Sequence, residues 1–131
     1  MPTSPALQPI LIDGAWRQAQ SPEGRFNAYN PSTRETIGDH AYPVSGWQDL
    51  DAMLEAGKAA AAQMARLPAA TIAGFLERYA DGIEARAEAL IETAHRETGL
   101  PVEPRLRNAE LPRTTGQLRQ AAKAARMSSR P

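Results

Sequence analysis

Cysteine is absent from this sequence, and so is any surplus of one charge. Without cysteine, the chain cannot contain disulfides, thiolate metal sites or a cysteine nucleophile. Fifteen basic residues balance fifteen acidic ones, so electrostatics gives no reason to expect nucleic acid or an anionic membrane as a partner. A long apolar run and a secretory signal are also missing. We therefore expect a cytoplasmic protein without nucleic-acid or membrane partners.

The usual catalytic and cofactor patterns are missing as well. Neither GxGxxG nor GxxxxGK[ST] occurs, so no phosphate cradle is encoded. His40 and His95 have no second ligand at helical spacing, and each is interpreted as structural or surface. Glu92 and Arg96 form an i,i+4 surface pair rather than a catalytic dyad. We assign no catalytic, cofactor-binding or metal-binding residue to this chain.

The composition does support a folded core. Hydrophobic residues make up 42% of the 131 residues, which is enough for one domain of moderate size. The predicted class is α+β, with short N-terminal strands or a hairpin followed by three to four helices. We expect a flexible N-terminus over 1–9, strands within 10–42, helices within 45–126 and a tail over 127–131.

The first third of the chain carries the β-type patterns. The apolar residues 10–12 and 15–17 flank Asp13 and Gly14, which predicts a hairpin or a strand with a tight bend. Two further strands are expected at 25–29, with Phe26 and Ala28 on one face, and at 36–42, closed by Pro43. Trp16 and Trp47 are interpreted as core anchors rather than ligand-stacking residues.

A first helix is predicted after Ser45, whose spacing to Gln48 matches a capping box. The helix should end near Leu67, because Pro68 follows. Its apolar face is formed by residues at spacings of three and four, namely Trp47, Leu50, Leu54, Gly57, Ala61 and Met64.

A second helix is predicted from Thr71, with Thr98 and Gly99 as its stop and Pro101 preventing continuation. Gly82 weakens its middle, so two helices with a bend there are an open alternative. Its single apolar stripe comprises Ile72, Phe75, Leu76, Tyr79, Ile83, Ala87, Leu90, Ile91 and Ala94.

A third helical stretch is predicted over 105–126. Pro112 suits the first turn of a helix better than an interior, so a fresh start at Leu111 or Pro112 is expected. Its apolar stripe is thin and consists of Leu118, Ala121, Ala122 and Ala125. The basic residues there are interpreted as a solvated face, and they are Arg113, Arg119, Lys123, Arg126 and Arg130.

Four segments together resemble the start of an aldehyde dehydrogenase. They are ILIDGAW at 10–16, YNPSTRE at 29–35, ETGLP at 97–101 and RTTGQLR at 113–119. Arg34 stands where that family usually has glycine. The last segment is similar to the subgroup that oxidises 2,5-dioxopentanoate (α-ketoglutarate semialdehyde). Pro104, Pro112 and the tail after Arg126 depart from the family pattern.

The resemblance implies a cofactor, NADP or NAD, for the full-length family. It also implies a catalytic cysteine, a glutamate base, an asparagine and a nucleotide-binding sheet, all of which follow the matched region in that family. No catalytic residue is therefore transferred to this chain. A monovalent-cation site is implied only through backbone oxygens near Ala28 and Glu97.

Two functional hypotheses follow. The first is an N-terminal piece of an aldehyde dehydrogenase that has no activity alone and leaves apolar helix faces exposed. The second is a small helical interaction module that associates with itself or with related subunits through such a face. Activity of this chain by itself is predicted to be absent.

Overall fold

The computed structural model describes residues 7–128 of the chain. Contacts divide the chain into two compact units, Met1–Arg66 (unit 1) and Leu67–Pro131 (unit 2). Among the described residues, unit 1 contains four strands and one α-helix, and unit 2 contains three α-helices and a π-helical segment. This confirms the predicted α+β class, with the strands first and the helices after them.

The predicted hairpin at the start of unit 1 is confirmed. Strands β1 (Ile10–Ile12) and β2 (Ala15–Arg17) pair antiparallel, with Leu11 opposite Trp16. Asp13 and Gly14 connect them at φ 51° and 74°. A two-residue turn with both φ angles positive matches the right-handed twist of the strands, which explains why this dipeptide folds the chain back.

A second antiparallel pair follows, formed by β3 (Gly24–Asn30) and β4 (Glu35–Val44). The sequence predicts shorter strands, because Pro43 was expected to end the second one. Pro43 instead lies within β4 opposite Arg25, where an edge strand tolerates a missing N–H. Phe26 pairs directly with Tyr42, and their rings stack with centroids 5.4 Å apart; the register of the two strands shifts between Phe26 and Ala28.

Helix α1 (Trp47–Met64) is present, but the predicted capping box is wrong. Gly46 is the N-cap residue, and none of the described side chains caps this end. Gln48 instead lies 3.4 Å from the hydroxyl of Ser21. Asp49, in the first turn of α1, is 1% exposed and accepts a hydrogen bond from the backbone N–H of Gln20 at 3.0 Å, which ties the segment between β2 and β3 to the helix.

The predicted apolar face of α1 is exposed, which corrects the interpretation of both tryptophans as core anchors. Trp47 is 70% exposed and Trp16 is 69% exposed. Helix α1 contacts β1, and Met53 and Ala56 are half-buried on it. The spacing of apolar residues therefore predicted the helix α1 correctly, but the side of α1 that is covered is not its most apolar side.

The long helical stretch predicted from Thr71 is two helices, α2 (Ala69–Glu84) and α3 (Ala87–Thr98). The bend lies at Ala85 and Arg86 rather than at Gly82, which α2 accommodates within its length. A glycine in a helix costs only about 1 kcal/mol, and packing outweighs that cost. Gly99 ends α3 at φ 70°, as its left-handed preference predicts.

Residues Val102–Glu110 form a π-helical segment that leads into α4 (Leu111–Ser128). The start of a fresh helix at Leu111 is confirmed, and Pro112 lies in its first turn. Helix α4 includes Met127, so the tail predicted from residue 127 is helical as far as Ser128. Of the flexible N-terminus predicted over 1–9, residues 1–6 lie outside the described residues. In the described remainder, the backbone N–H of Gln8 donates a hydrogen bond to Ala41 O at 2.8 Å.

Unit 2 is organised around the packing of α2 on α4. Small side chains allow the two helices to approach closely, since Ala73, Ala80 and Ala122 are completely buried. Thr115 is 3% exposed. The remaining buried apolar residues described in this unit are Ile91 and Leu106, which come from α3 and the π-helical segment.

Candidate functional site

Unit 2 carries a polar clamp between α2 and α4. The guanidinium of Arg119 donates to Glu84 Oε1 at 2.6 Å and, through its other terminal nitrogen, to Asp81 Oδ1 at 2.7 Å. The hydrogen bonding of Arg119 to Glu84, followed by that of Thr115, lowers the pKa of Glu84 below its ordinary value. A charged hydrogen-bonded pair of this kind fixes the relative rotation of two helices.

The clamp explains the RTTGQLR segment at 113–119 in structural terms. Arg113 pairs with Glu110, and the hydroxyl of Thr114 donates to the Glu110 carbonyl at 2.9 Å. Thr115 is buried and Arg119 holds α2. The side chains of Arg113, Thr114 and Arg119 are thus bonded to other parts of unit 2.

Unit 2 contains further ion pairs besides the clamp. Arg107 is hydrogen-bonded to Glu88 through both terminal nitrogens, and this contact lowers the pKa of Glu88. Arg126 donates to Glu77 at 2.7 Å. Three of the basic residues near the chain end, Arg113, Arg119 and Arg126, are therefore engaged with carboxylates of the same unit.

An apolar groove within unit 2 has a volume of about 360 Å³. Its wall residues Tyr79 and Leu90 are 54% and 43% exposed, whereas Ile91 and Leu106 lie buried beneath. The full lining is Tyr79, Ile83, Leu90, Ile91, Ala94, Leu106, Glu110, Leu111 and Thr114. Such a groove suits an apolar ligand or an apolar protein surface.

The start of α1 does not suit a nucleotide phosphate, although it follows a strand and contains glycine. A Cβ placed on Gly46 would lie 2.3 Å from the carbonyl oxygen of Ser21. The space that a glycine-rich loop gives to a phosphate is here filled by the protein's own backbone. The residues of this chain thus do not fit NAD(P) at this helix.

The two histidines take part in local hydrogen bonds. Nδ1 of His95 donates to the Leu100 carbonyl at 2.6 Å, which ties the end of α3 to the following turn. Nδ1 of His40 accepts from Gln8 Nε2 at 3.1 Å. Over residues 7–128, no group of three or more His, Asp or Glu side chains could hold a metal ion.

The implied cation site stays a prediction. Ala28 lies in β3 of unit 1, and Glu97 lies in the last turn of α3 in unit 2. Sequence reasoning missed the groove and the clamp, because residues of α2, α3 and α4 meet only in the fold. The available signal for the clamp was the row of acidic residues on α2. Their spacing along α2 is compatible with the spacing of the arginines along α4.

Comparison with known proteins decides the relationship of this chain. The model of the aldehyde dehydrogenase family matches residues 16–130. The chain belongs to the aldehyde dehydrogenase family. This confirms the resemblance inferred from the four sequence segments.

A curated enzyme of the predicted subgroup is similar in sequence to this aldehyde dehydrogenase chain. Alpha-ketoglutaric semialdehyde dehydrogenase 2 of Azospirillum brasilense is 42% identical over 103 residues. The match covers 79% of this chain and 19% of the length of that protein. This aldehyde dehydrogenase chain thus spans only about a fifth of its curated relative.

Solved aldehyde dehydrogenases share the fold. A NAD-dependent benzaldehyde dehydrogenase from Corynebacterium glutamicum has a TM-score of 0.79 at 25% identity, over 90% of this chain and 25% of that one. An aldehyde dehydrogenase from Bartonella henselae has a TM-score of 0.81 at 23% identity, over 92% of this chain and 25% of that one. In the part of the chain that the structure describes, no helix is both long and apolar enough to cross a membrane.

Proposed function

We propose that this chain is the N-terminal portion of an NAD(P)-dependent aldehyde dehydrogenase that oxidises α-ketoglutaric semialdehyde (2,5-dioxopentanoate) to the carboxylate. The observation that carries the proposal is the 42% identity over 103 residues to the A. brasilense enzyme of that name. The NAD-dependent benzaldehyde dehydrogenase of similar fold supports a nicotinamide cofactor. A cytoplasmic location is part of the proposal.

In this proposal the chain supplies scaffold and not chemistry. Arg119 and Arg107 are held by carboxylates of unit 2, and the Ser21 carbonyl occupies the space next to Gly46, the N-cap residue of α1. The nucleotide-binding and catalytic groups then come from sequence outside this chain. The substrate aldehyde would meet those groups, while the helices of unit 2 stabilise the fold around them.

A chimera tests the proposal. The 103 matched residues of this chain replace their counterpart in the A. brasilense enzyme, and the formation of NADH or NADPH is measured with α-ketoglutaric semialdehyde and with benzaldehyde. We expect activity with the semialdehyde well above that with benzaldehyde. The same enzyme with the segment deleted serves as the control and should be inactive, since the scaffold is missing.

Two outcomes would contradict the proposal. Aldehyde-dependent NADPH formation by the isolated chain would show that it contains its own catalytic groups. A folded chimera that reduces neither nucleotide would remove the support for a shared role with the A. brasilense enzyme.

A small helical interaction module is the second candidate function. The apolar groove in unit 2 and the exposed side chains Trp47 and Leu54 on α1 favour it, because exposed apolar patches mark interaction surfaces. Sedimentation of the purified chain distinguishes it from a passive fragment. A monomer at all concentrations that binds no apolar dye would count against association.

A further inference from the structure

The dipeptide Asp-Gly occurs twice in this chain, once in each unit. Asp13 and Gly14 form the turn of the first hairpin, and Asp81 and Gly82 lie within α2. This dipeptide is chemically labile, because glycine has no Cβ to shield its backbone nitrogen from the preceding side-chain carboxyl group. The two copies therefore place the same reacting groups in two different backbone settings.

The reaction is an intramolecular condensation followed by hydrolysis. The glycine nitrogen attacks Cγ of the protonated aspartate, a C–N bond forms, and the carboxyl hydroxyl leaves as water with the amide proton. Water then opens the cyclic imide. Attack of water at the original backbone carbonyl leaves the chain linked through Cγ as isoaspartate, whereas attack at Cγ restores aspartate. One water is lost and one is gained, so no co-reactant is consumed and the mass of the chain is unchanged.

Solvent access does not distinguish the two sites. Asp13 is exposed, and the side chain of Asp81 is 68% exposed. Apart from its own neighbouring backbone, a Cβ built on Gly14 or on Gly82 would meet no described heavy atom within 4 Å. A difference in rate must therefore come from how firmly the backbone and the carboxylate are held.

The hairpin turn leaves both reacting groups unengaged. The ladder of β1 and β2 ends with the pair Ile12 and Ala15, so the N–H of Gly14 lies outside it. Within residues 7–128, the Asp13 carboxylate has neither a hydrogen bond nor an ion pair. The two strands contain three residues each and form a sheet of their own, and so short a hairpin opens locally at small cost. Such opening permits the rotation about the Cα–C bond of Asp13 that ring closure requires.

Asp81 and Gly82 are held on both counts. Gly82 lies inside α2, where each N–H is bonded to the carbonyl four residues earlier. The Asp81 carboxylate accepts a hydrogen bond from Arg119 at 2.7 Å. Ring closure requires this part of α2 to unfold, and α2 packs on α4. The second copy therefore reacts only when a large part of unit 2 opens.

We propose that Asp13 is a site of spontaneous isoaspartate formation, and that α2 protects the identical dipeptide at Asp81. The proposal does not depend on the proposed function. Its product carries the free α-carboxylate as a side branch, which is the group that isoaspartate-specific carboxyl methyltransferases esterify. Isoaspartate also adds one backbone atom to a two-residue turn whose positive φ angles fit the strand twist, so it disturbs the pairing of Leu11 with Trp16.

Ageing of the full chain tests the proposal. The purified chain is incubated at neutral pH and physiological temperature, in buffer and in concentrated urea, and then digested. Isoaspartate in the peptides that contain Asp13 and Asp81 is quantified by electron-transfer fragmentation and by methyl transfer from S-adenosylmethionine. In buffer we expect Asp13 to convert at least about tenfold faster than Asp81, because the turn opens more often than α2. In urea the two rates should become similar, since the structural difference is removed.

Asp13→Asn and Asp81→Asn provide a second measurement. Asn-Gly is a favoured dipeptide of this turn, so the first variant keeps the hairpin. The amide loses ammonia in the same cyclisation, and the resulting mass increase should arise much faster in the first variant than in the second. Circular dichroism shows that the helices remain folded during ageing.

Two outcomes would overturn the proposal. One is equal conversion of Asp13 and Asp81 in the folded chain, which would show that α2 gives no protection. The other is an Asp13 that stays unconverted in the folded chain while it converts in urea, which would show that the turn is as protected as the helix.

Discussion

Arg34 adopts a backbone conformation that its side chain disfavours. It ends the turn between β3 and β4 at φ 61°, with its N–H bonded to the Asn30 carbonyl at 2.9 Å. A left-handed conformation costs a residue with a Cβ about 1–2 kcal/mol, and glycine avoids that cost. The glycine that the family resemblance implies at this position would avoid that cost.

Arg34→Gly is therefore expected to stabilise unit 1 by about 1 kcal/mol, since part of the relief is offset by the chain entropy of glycine. Urea unfolding followed by tryptophan fluorescence measures this, because both tryptophans lie in unit 1. Arg34→Ala is the control and should give no comparable gain. An equal gain for alanine would show that the arginine side chain, and not the backbone angle, is unfavourable.

Gly46 and Gly57 provide a matched pair on one helix. A Cβ on Gly46 would lie 2.3 Å from the Ser21 carbonyl oxygen, whereas a Cβ on Gly57 meets no described heavy atom within 4 Å. Gly46→Ala should destabilise unit 1 by about 1–3 kcal/mol through overpacking, and Gly57→Ala should stabilise α1 by up to about 1 kcal/mol. Tryptophan-detected unfolding of the two variants should shift in opposite directions, and a shift in the same direction would contradict the contact with Ser21.

The conformation of single residues was predictable where local backbone preferences alone determine it. The Asp13–Gly14 turn, the left-handed Gly99 and the position of Pro112 in the first turn of α4 follow from local preferences. The exposure of Trp16 and Trp47 was not predictable. A large apolar side chain is buried only if another element covers it, and no local pattern identifies that element.

At the scale of elements, the contact between α2 and α4 depends on pH. Arg119 lowers the pKa of Glu84 in the folded state, so the folded protein binds a proton less readily there than the unfolded chain does. The stabilising contribution is present above the ordinary glutamate pKa. It is lost as the pH falls through the lowered pKa of the folded state, where Glu84 becomes protonated.

Glu84→Gln should lower the urea midpoint of unit 2 at neutral pH and flatten its dependence on acidic pH. The difference from the parent chain should narrow in high salt, because the pair is solvent-exposed. Far-UV circular dichroism follows the unfolding of unit 2, because three of the four α-helices that the structure describes lie in that unit. Glu55→Gln, which removes an exposed pair with Lys58 at 3.7 Å, is the control expected to have little effect. If the urea midpoints of Glu84→Gln and of the parent chain change with pH in the same way, the stabilising role of the clamp is contradicted.

Element types were largely predictable, but helix faces and boundaries were not. The spacing of apolar residues identified α1, yet its Trp47 and Leu54 face is open, and the buried group is the charged residue Asp49. The candidate site had no sequence signal of its own. Its groove forms only because α3 and the π-helical segment bring Ile91 and Leu106 beneath Tyr79, and contacts between distant segments leave no periodic pattern.

At the scale of the whole molecule, exposed apolar surface should govern solution behaviour. Trp47, Leu54 and Tyr79 are 70%, 62% and 54% exposed, and they come from both units. The formal net charge is zero, so charge repulsion does little to oppose association. We expect the purified chain to bind an apolar fluorescent dye and to sediment with a weight that rises with concentration.

Trp47→Glu and Leu54→Glu together should reduce both signals, because each adds a charge to the open face of α1. The control pair is Gln48→Glu and Gln63→Glu, which adds the same two negative charges at exposed polar positions of the same helix and should leave association unchanged. Equal loss of association in both pairs would show that net charge, and not the apolar face, controls it. If the double variant Trp47→Glu and Leu54→Glu still associates, we expect the groove of unit 2 to be the contact surface, and Leu90→Ser should then reduce association.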